Sequence, residues 1–239
     1  MWLHTPDDAK DDALIERERR SPRWSRITRE LTRKFGSVQG LRTVELGSGR
    51  GDLSVLLAQA GAEVTLLDAS DRALDQARRR FDRLKLNASF VRGNMMEPAG
   101  GLSKRFDLSL SSGVIEHFRG SDRTRVIRCH HDALAAGGMT AISVPHAWCL
   151  PYRLWKFYLE RRGWWPYGME IPYSKRELID RVASVGFTHA GGWCSGFWQS
   201  VSDQCIKQVF GRRLSWADAR SVLDAKMGLV LLVMAERQT

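Results

Sequence analysis

TVELGSGRGDLSVLLAQAGAEVTLLDAS, residues 43–70, is the stretch whose reading decides the fold. It opens with a β-rich run, turns through three glycines, continues as a helical pattern and closes with a second β-rich run ending in Asp68. Glycine has no Cβ, so Gly47, Gly49 and Gly51 let the backbone turn sharply and approach a ligand, while the next helix offers its unpaired N-terminal N–H groups. Such a turn holds a nucleotide-like ligand. The spacing then narrows the choice, because a dinucleotide fingerprint reads G-x-G-x-x-G and here the third glycine comes one residue sooner. No G-K-[ST] follows to make a phosphate loop.

Outward from this unit, short β-rich runs alternate with helical patterns. Strands are predicted at 43–46, 63–68, 89–93, 106–111, 138–144, 188–193 and 228–236, and helices at 52–60, 71–84, 122–136 and 174–185. That alternation is the signature of an α/β fold, a largely parallel sheet covered by helices. Ser70 and Ser174 stand as helix N-caps, the latter with Glu177 three residues on, and Gly61 and Gly186 follow helices as stops. The 239 residues, 43% hydrophobic, suffice for one core. The reading is one domain over 1–239, with an N-terminal helical cap at 1–40, a lid insertion at 146–173 and a second helical insertion at 195–227.

The net charge of +10, from 37 Lys+Arg against 27 Asp+Glu, favours an anionic partner, whether nucleic acid, phospholipid head groups or an acidic substrate. Acids interleave several of the basic runs, at 17–33, 78–83, 119–128 and 153–162, so a solvated surface is the plainer reading of them. Cys129, Cys149, Cys194 and Cys205 show neither C-x-x-C nor zinc-ligand spacing; no metal site is expected, and reduced thiols are. The opening MWLHTPDDAKDDALIERERR has acids where a signal peptide needs a basic start and an apolar run. The most apolar piece, GLVLLVMA at 228–235, is long enough only for a buried strand. A cytoplasmic protein is expected, free or peripheral to the inner face of a membrane.

ELGSGRG, residues 45–51, resembles the acidic-x-G-x-G-x-G motif of class I S-adenosylmethionine-dependent methyltransferases. FVRGNMMEP (90–98) continues the likeness. FDLSLSSGVIEHF (106–118) resembles the branch that includes ubiquinone-pathway and related small-molecule methyltransferases, and PYSKRELIDRVASVGF (172–187) and the last strand resume the match. The resemblance implies a Rossmann-like seven-stranded, mostly parallel sheet in the order 3-2-1-4-5-7-6, last strand antiparallel, with helices on both faces and a helical aromatic lid. It implies S-adenosylmethionine as cofactor, with S-adenosylhomocysteine as product, lying across the strand C-termini. The residues it assigns to the cofactor are Glu45, Gly47, Ser48, Gly49, Gly51, Asp68, Ala69, Asn94, Met95, Ser111, Ser112 and Gly113. Asp68 would accept the ribose hydroxyls, Asn94 stands where the family often has Asp against the adenine amino group, and an acid at Glu45 suits a cationic ligand.

A sulfonium is an activated electrophile and needs no metal; the site must align the reactants and remove an acceptor proton where necessary. The bases proposed by this reading are His117 and His146, whereas His130 and His131 read as surface residues of an outer helix. Acceptor contacts are expected from Glu116, Trp148, Tyr152, Trp155 and Tyr173. In the lid, Pro151 opens a helix on which Arg153, Lys156 and Glu160 form a polar stripe opposite Leu154, Trp155 and Tyr158, a face that closes over an apolar substrate or lies on an anionic membrane. The second insertion has an apolar face of Phe197, Trp198, Val201, Ile206, Val209 and Phe210, packing on the lid, lining the pocket or joining two copies as a homodimer. PRWSRITRELTRKF (22–35) reads as an amphipathic basic helix that covers the cofactor in the resembling family, or else meets a membrane or nucleic acid. The function read from the chain is methyl transfer to a small organic, apolar or lipid-like acceptor, with O-methylation preferred; the alternatives are a nucleic-acid methyltransferase and a non-catalytic cofactor-binding scaffold.

Overall fold

Val44 and Leu46 of the first strand, β1 (Arg42–Leu46), enter one hydrophobic cluster, while Thr43 and Glu45 turn to the opposite side. Both sides of the strand are buried, so helices must cover both faces. The computed structural model describes residues 8–96 and 102–238. The other strands are β2 (Glu63–Asp68), β3 (Ser89–Arg92), β4 (Phe106–Ser112), β5 (Leu134–Pro145), β6 (Phe187–Ser195) and β7 (Val230–Arg237). They form one sheet in the order β3-β2-β1-β4-β5-β7-β6, parallel from β3 to β5, with β7 antiparallel to both of its neighbours. The expected order and the antiparallel last strand are both present.

Helices α1 (Asp8–Arg19), α2 (Pro22–Phe35), α3 (Asp52–Gln59) and α4 (Asp71–Arg83) cover one face, meeting Leu66, Leu108, Leu110, Met139 and Leu232. The other face packs Leu67, Ile142, Val144 and Val233 against α5 (Asp122–Ala133) and α7 (Lys175–Ser184). Ser21, Ser70 and Ser174 cap α2, α4 and α7 by accepting the N–H of Trp24, Ala73 and Glu177. Helix α5 stops at Ala133 rather than at 136, because Arg105 donates to the Ala133 carbonyl and Phe106 pairs with Leu134, drawing the chain into the sheet. His130 is a second correction: it is fully buried between the Ser109 and Thr140 hydroxyls, and burial pushes its pKa down to about 3. It lies on the inward stripe of α5 with Val126, Ile127 and Ala133, so the helix phase outweighs its polarity.

The basic run at 78–83 is likewise not all solvated. The Arg80 side chain is 4% exposed and binds both Asp11 on α1 and Asp52 on α3, with a further bond to the Arg50 carbonyl. One guanidinium thereby ties α1, a highly charged helix whose one buried residue is Ile15, to the motif helix. Arg80→Ala is expected to lower stability by about 3 kcal/mol, against at most about 0.5 kcal/mol for the exposed Arg78→Ala. Urea denaturation of the two variants measures the difference, and equal values would show that Arg80 carries no such tie.

Candidate functional site

The C-terminal ends of β1, β2 and β4 converge on the glycine turn, where parallel α/β sheets place their ligands. Gly47 and Ser48 both donate to the Leu67 carbonyl, and Gly49 donates to the Asp68 carboxylate at 2.8 Å. The other Asp68 oxygen accepts the Ser70 N–H at 2.9 Å, so this carboxylate sets the shape of the loop and keeps further lone pairs for a ligand. Gly47, Gly49 and Gly51 all have positive φ. They differ in surroundings: a Cβ on Gly47 would strike Val114 and one on Gly51 would strike Leu66, whereas a Cβ on Gly49 meets nothing within 4 Å. Gly49 alone of the three faces the open side of the loop. Next to it, Ala69 is exposed, and Asn94 uses its side-chain oxygen to accept the Met96 N–H while Met95 is buried in the core. Glu97 and Pro98, the end of that motif, lie outside the described residues, as do residues 1–7 of the N-terminal cap.

Glu45 lies beneath the loop rather than in it. It is 3% exposed and accepts the backbone N–H of Ser54 in the first turn of α3, together with the Ser54 hydroxyl. Burial raises its pKa to about 7. Its role here is to cap a helix from a neighbouring strand. Above the loop stands a residue that the sequence did not single out, Arg23 of α2, paired with Glu18 at 2.6 Å and donating to the Ser112 hydroxyl at 2.6 Å. Only the first turn of α2 reaches the end of β4; the rest of the helix lies on the sheet face, where Lys34 pairs with Glu236 at the opposite end. Arg23 is one of many cations in a basic helix, and nothing in the spacing distinguishes it.

The β4 exit carries Ser111, Ser112 and Gly113 into the 3-10 turn Ile115–His117. Among the described residues, the buried side-chain oxygens of Ser48, Ser111 and Ser143 and the Glu116 Oε2 have no hydrogen-bond partner. Buried oxygens of this kind are open to a bound water or a ligand. Glu116 is 2% exposed, and burial first, then the Glu170 carboxylate, pushes its pKa up to about 8. His117 is half-buried, with Nδ1 at 2.7 Å from the Met169 carbonyl. A carbonyl only accepts, so Nδ1 carries the proton and Nε2 is left as an acceptor. His146 lies at a different place, buried at the β5–β7 seam, with its N–H on the Leu229 carbonyl and its backbone bridged to Tyr173.

The segment after α6 (Leu150–Arg161) docks on the 3-10 turn: Ile171 donates to the Glu116 carbonyl, and Arg123 donates to the Ile171 carbonyl. Tyr152 points inward, its hydroxyl donating to Glu170 at 2.7 Å and its ring edge-on to Trp165, which in turn meets Tyr167. The Leu154 and Tyr158 face of the lid helix turns outward and does not close over the site. Tyr152 and Lys156 are the buried residues of that helix, while Leu154 and Tyr158 are exposed, Trp155 is half-buried against Tyr158, and Trp148 is 65% exposed. Lys156 can face inward because its ammonium pairs with Glu160 and lies over the Trp165 ring. Tyr173 is also corrected: it is fully buried in the core with Arg123 over its ring at 3.5 Å, so it supports the turn instead of lining a pocket. Around Tyr152 the structure gathers Trp165 and Glu170, with Tyr167 against Trp165, an arrangement that the packing of 164–171 on the 3-10 turn decides.

Residues 44–138 match the family model described as a methyltransferase domain. The sheet order agrees with that match. Residues 44–138 carry a methyltransferase domain, on a sheet of the class I order. It is 32% identical over 120 residues to a ubiquinone biosynthesis O-methyltransferase of Ruegeria pomeroyi, covering 49% of this chain and 47% of that protein. It is 30% identical over 137 residues to a release factor glutamine methyltransferase of Bacillus subtilis, covering 54% and 46%. The chain thus spans about half the length of the curated relatives it matches. The structure of a magnesium protoporphyrin IX methyltransferase from Synechocystis, solved with bound SAH, superposes with a TM-score of 0.62 at 16% identity, covering 99% of this chain and 90% of that one. This methyltransferase fold extends over the lid and both ends of the sheet, beyond the matched segment.

Proposed function

We propose that the chain binds S-adenosylmethionine over the C-terminal ends of β1, β2 and β4 and methylates a small organic acceptor, at oxygen in preference to nitrogen or carbon. The observation that carries this is the Asp68–Gly49 bond, which opens a glycine turn toward solvent and leaves carboxylate lone pairs beside it. When bound, the cofactor supplies a methyl group already activated as an electrophile. The chain's residues hold and orient. Asp68 suits the ribose hydroxyls, the Ser48 and Ser111 hydroxyls offer unused donors and acceptors, and Arg23 suits a carboxylate in exchange for Glu18. Tyr152, Trp165 and Tyr167 suit a planar or apolar acceptor body, and His117 Nε2 suits the proton of a hydroxyl. Oxygen is favoured because a hydroxyl requires that proton acceptor, and a ubiquinone O-methyltransferase is among the relatives.

Calorimetric titration with S-adenosylmethionine and with S-adenosylhomocysteine is the test, and one site per chain is expected for each. No heat with either, repeated with a quinol or phenol acceptor present, would sink the reading. Transfer of labelled methyl to a panel of quinols, phenols and lipids then identifies the acceptor class. His117→Ala is expected to lower that turnover about 100-fold with cofactor affinity unchanged. Unchanged turnover across pH would remove His117 as the base.

A further inference from the structure

The large exposed apolar side chains of the lid lie on one short stretch: Trp148 65%, Leu150 54%, Leu154 68%, Phe157 57% and Trp164 61%. Leu150, Leu154 and Phe157 recur at i, i+4 and i+7, so α6 presents an apolar stripe to the outside while its buried face carries a lysine. A helix of this kind is inside out for a protein surrounded only by water. Apart from Glu160, which pairs with Lys156, its exposed charge is positive. Arg153, Arg161 and Arg162 are exposed on the same segment, with Arg161 over the Phe157 ring at 5.1 Å and Arg162 over the Trp164 ring at 5.4 Å. The one acid between 148 and 164, Glu160, is already paired with Lys156.

We propose that this outer face of α6 and the following turn is a docking surface for an anionic lipid membrane, with Trp148, Leu150, Leu154, Phe157 and Trp164 entering the interface and the arginines meeting the head groups. Interfacial helices combine these parts, an apolar stripe set among cations with tryptophans at head-group depth. Charge selects the occupant. A second copy of the chain packed on this face would bring two sets of Arg161 and Arg162 together, and a nucleic-acid backbone gives Leu150 and Leu154 no partner. The anionic surface satisfies both components. No helix of the described residues is long and apolar enough to cross a membrane, so the contact is peripheral. The inference concerns the outward face of the lid and stands independently of the methyl-transfer reading.

Co-sedimentation with sucrose-loaded vesicles tests it, using vesicles of equal parts phosphatidylcholine and phosphatidylglycerol against phosphatidylcholine alone. The expected result is binding to the anionic vesicles at least about tenfold stronger than to the neutral ones, declining with salt. The double variants Leu154→Ser/Phe157→Ser and Arg161→Gln/Arg162→Gln should each lose about tenfold or more, with cofactor titration unchanged. In the unaltered protein, brominated phosphatidylglycerol should quench tryptophan emission, and Trp164→Phe should reduce that quenching. Equal sedimentation with both vesicles, or full retention by both double variants, overturns the proposal. So does a concentration-dependent dimer in analytical ultracentrifugation that Leu154→Ser/Phe157→Ser abolishes, because the face would then belong to a second copy.

Discussion

Gly49→Arg is expected to weaken S-adenosylmethionine binding by at least about 100-fold, equivalent to about 2.7 kcal/mol, while the fold survives. The reason lies in the different surroundings of the three motif glycines. A side chain at Gly49 meets no protein atom within 4 Å and enters the space above the loop where the ligand is proposed to lie. Its cost to the fold is the positive φ of 53°, about 1–2 kcal/mol for a residue with a Cβ. Gly51→Ala behaves in the opposite way. Its Cβ would come 2.5 Å from Leu66 Cδ2, in the core, so stability falls by about 3 kcal/mol from overpacking added to the backbone strain. Calorimetry with urea denaturation separates the two outcomes. If Gly49→Arg bound the cofactor normally, the site would not lie on this side of the loop.

Glu116→Gln is expected to make the protein more stable at pH 8 than the unaltered chain, by roughly 4 kcal/mol relative to their difference at pH 4.5. Burial is the main cause, with the Glu170 carboxylate adding to it and Arg123 opposing. A carboxyl that titrates near 4.5 unfolded and near 8 folded keeps its proton only in the folded state across that window. The folded state then binds more protons, so stability falls as pH rises through the window and levels off above pH 8. Glutamine has no proton to lose. Glu45, raised to about 7, contributes a slope of the same sign that remains in the variant. Urea midpoints at the two pH values give the comparison, and a constant difference between the chains would mean that Glu116 ionises as a solvated carboxyl does.

Much of the site was legible because chain-local chemistry fixes it. Gly47, Gly49 and Gly51 permit backbone conformations closed to other residues, and Asp68 ends the strand beside them; the structure joins Asp68 to Gly49 directly. The period of apolar residues similarly carried strand and helix positions to within a few residues. The acceptor side was not legible to the same degree. Trp148, Trp155 and Trp165 are alike as letters in an aromatic run, and which one turns inward depends on the docking of 164–171 against the Ile115–His117 turn. Polarity misleads at the same places, for Lys156, His130 and Arg80 are buried. Arg80 and His130 have partners on other elements, which leave no trace in a local pattern, and Lys156, paired with Glu160 on its own helix, is buried by the Trp165 ring that folds over it.

The sequence by itself determined the sheet, its order through the resemblance, and the glycine turn at its centre, since periodicity and backbone freedom are properties of neighbouring residues. Only the tertiary structure decided which face of α6 looks out, that Arg23 of α2 reaches Ser112, and that Glu45 caps α3 beneath the loop. These are outcomes of competition for burial between segments far apart in the chain. A side chain's environment is set there by what packs against it.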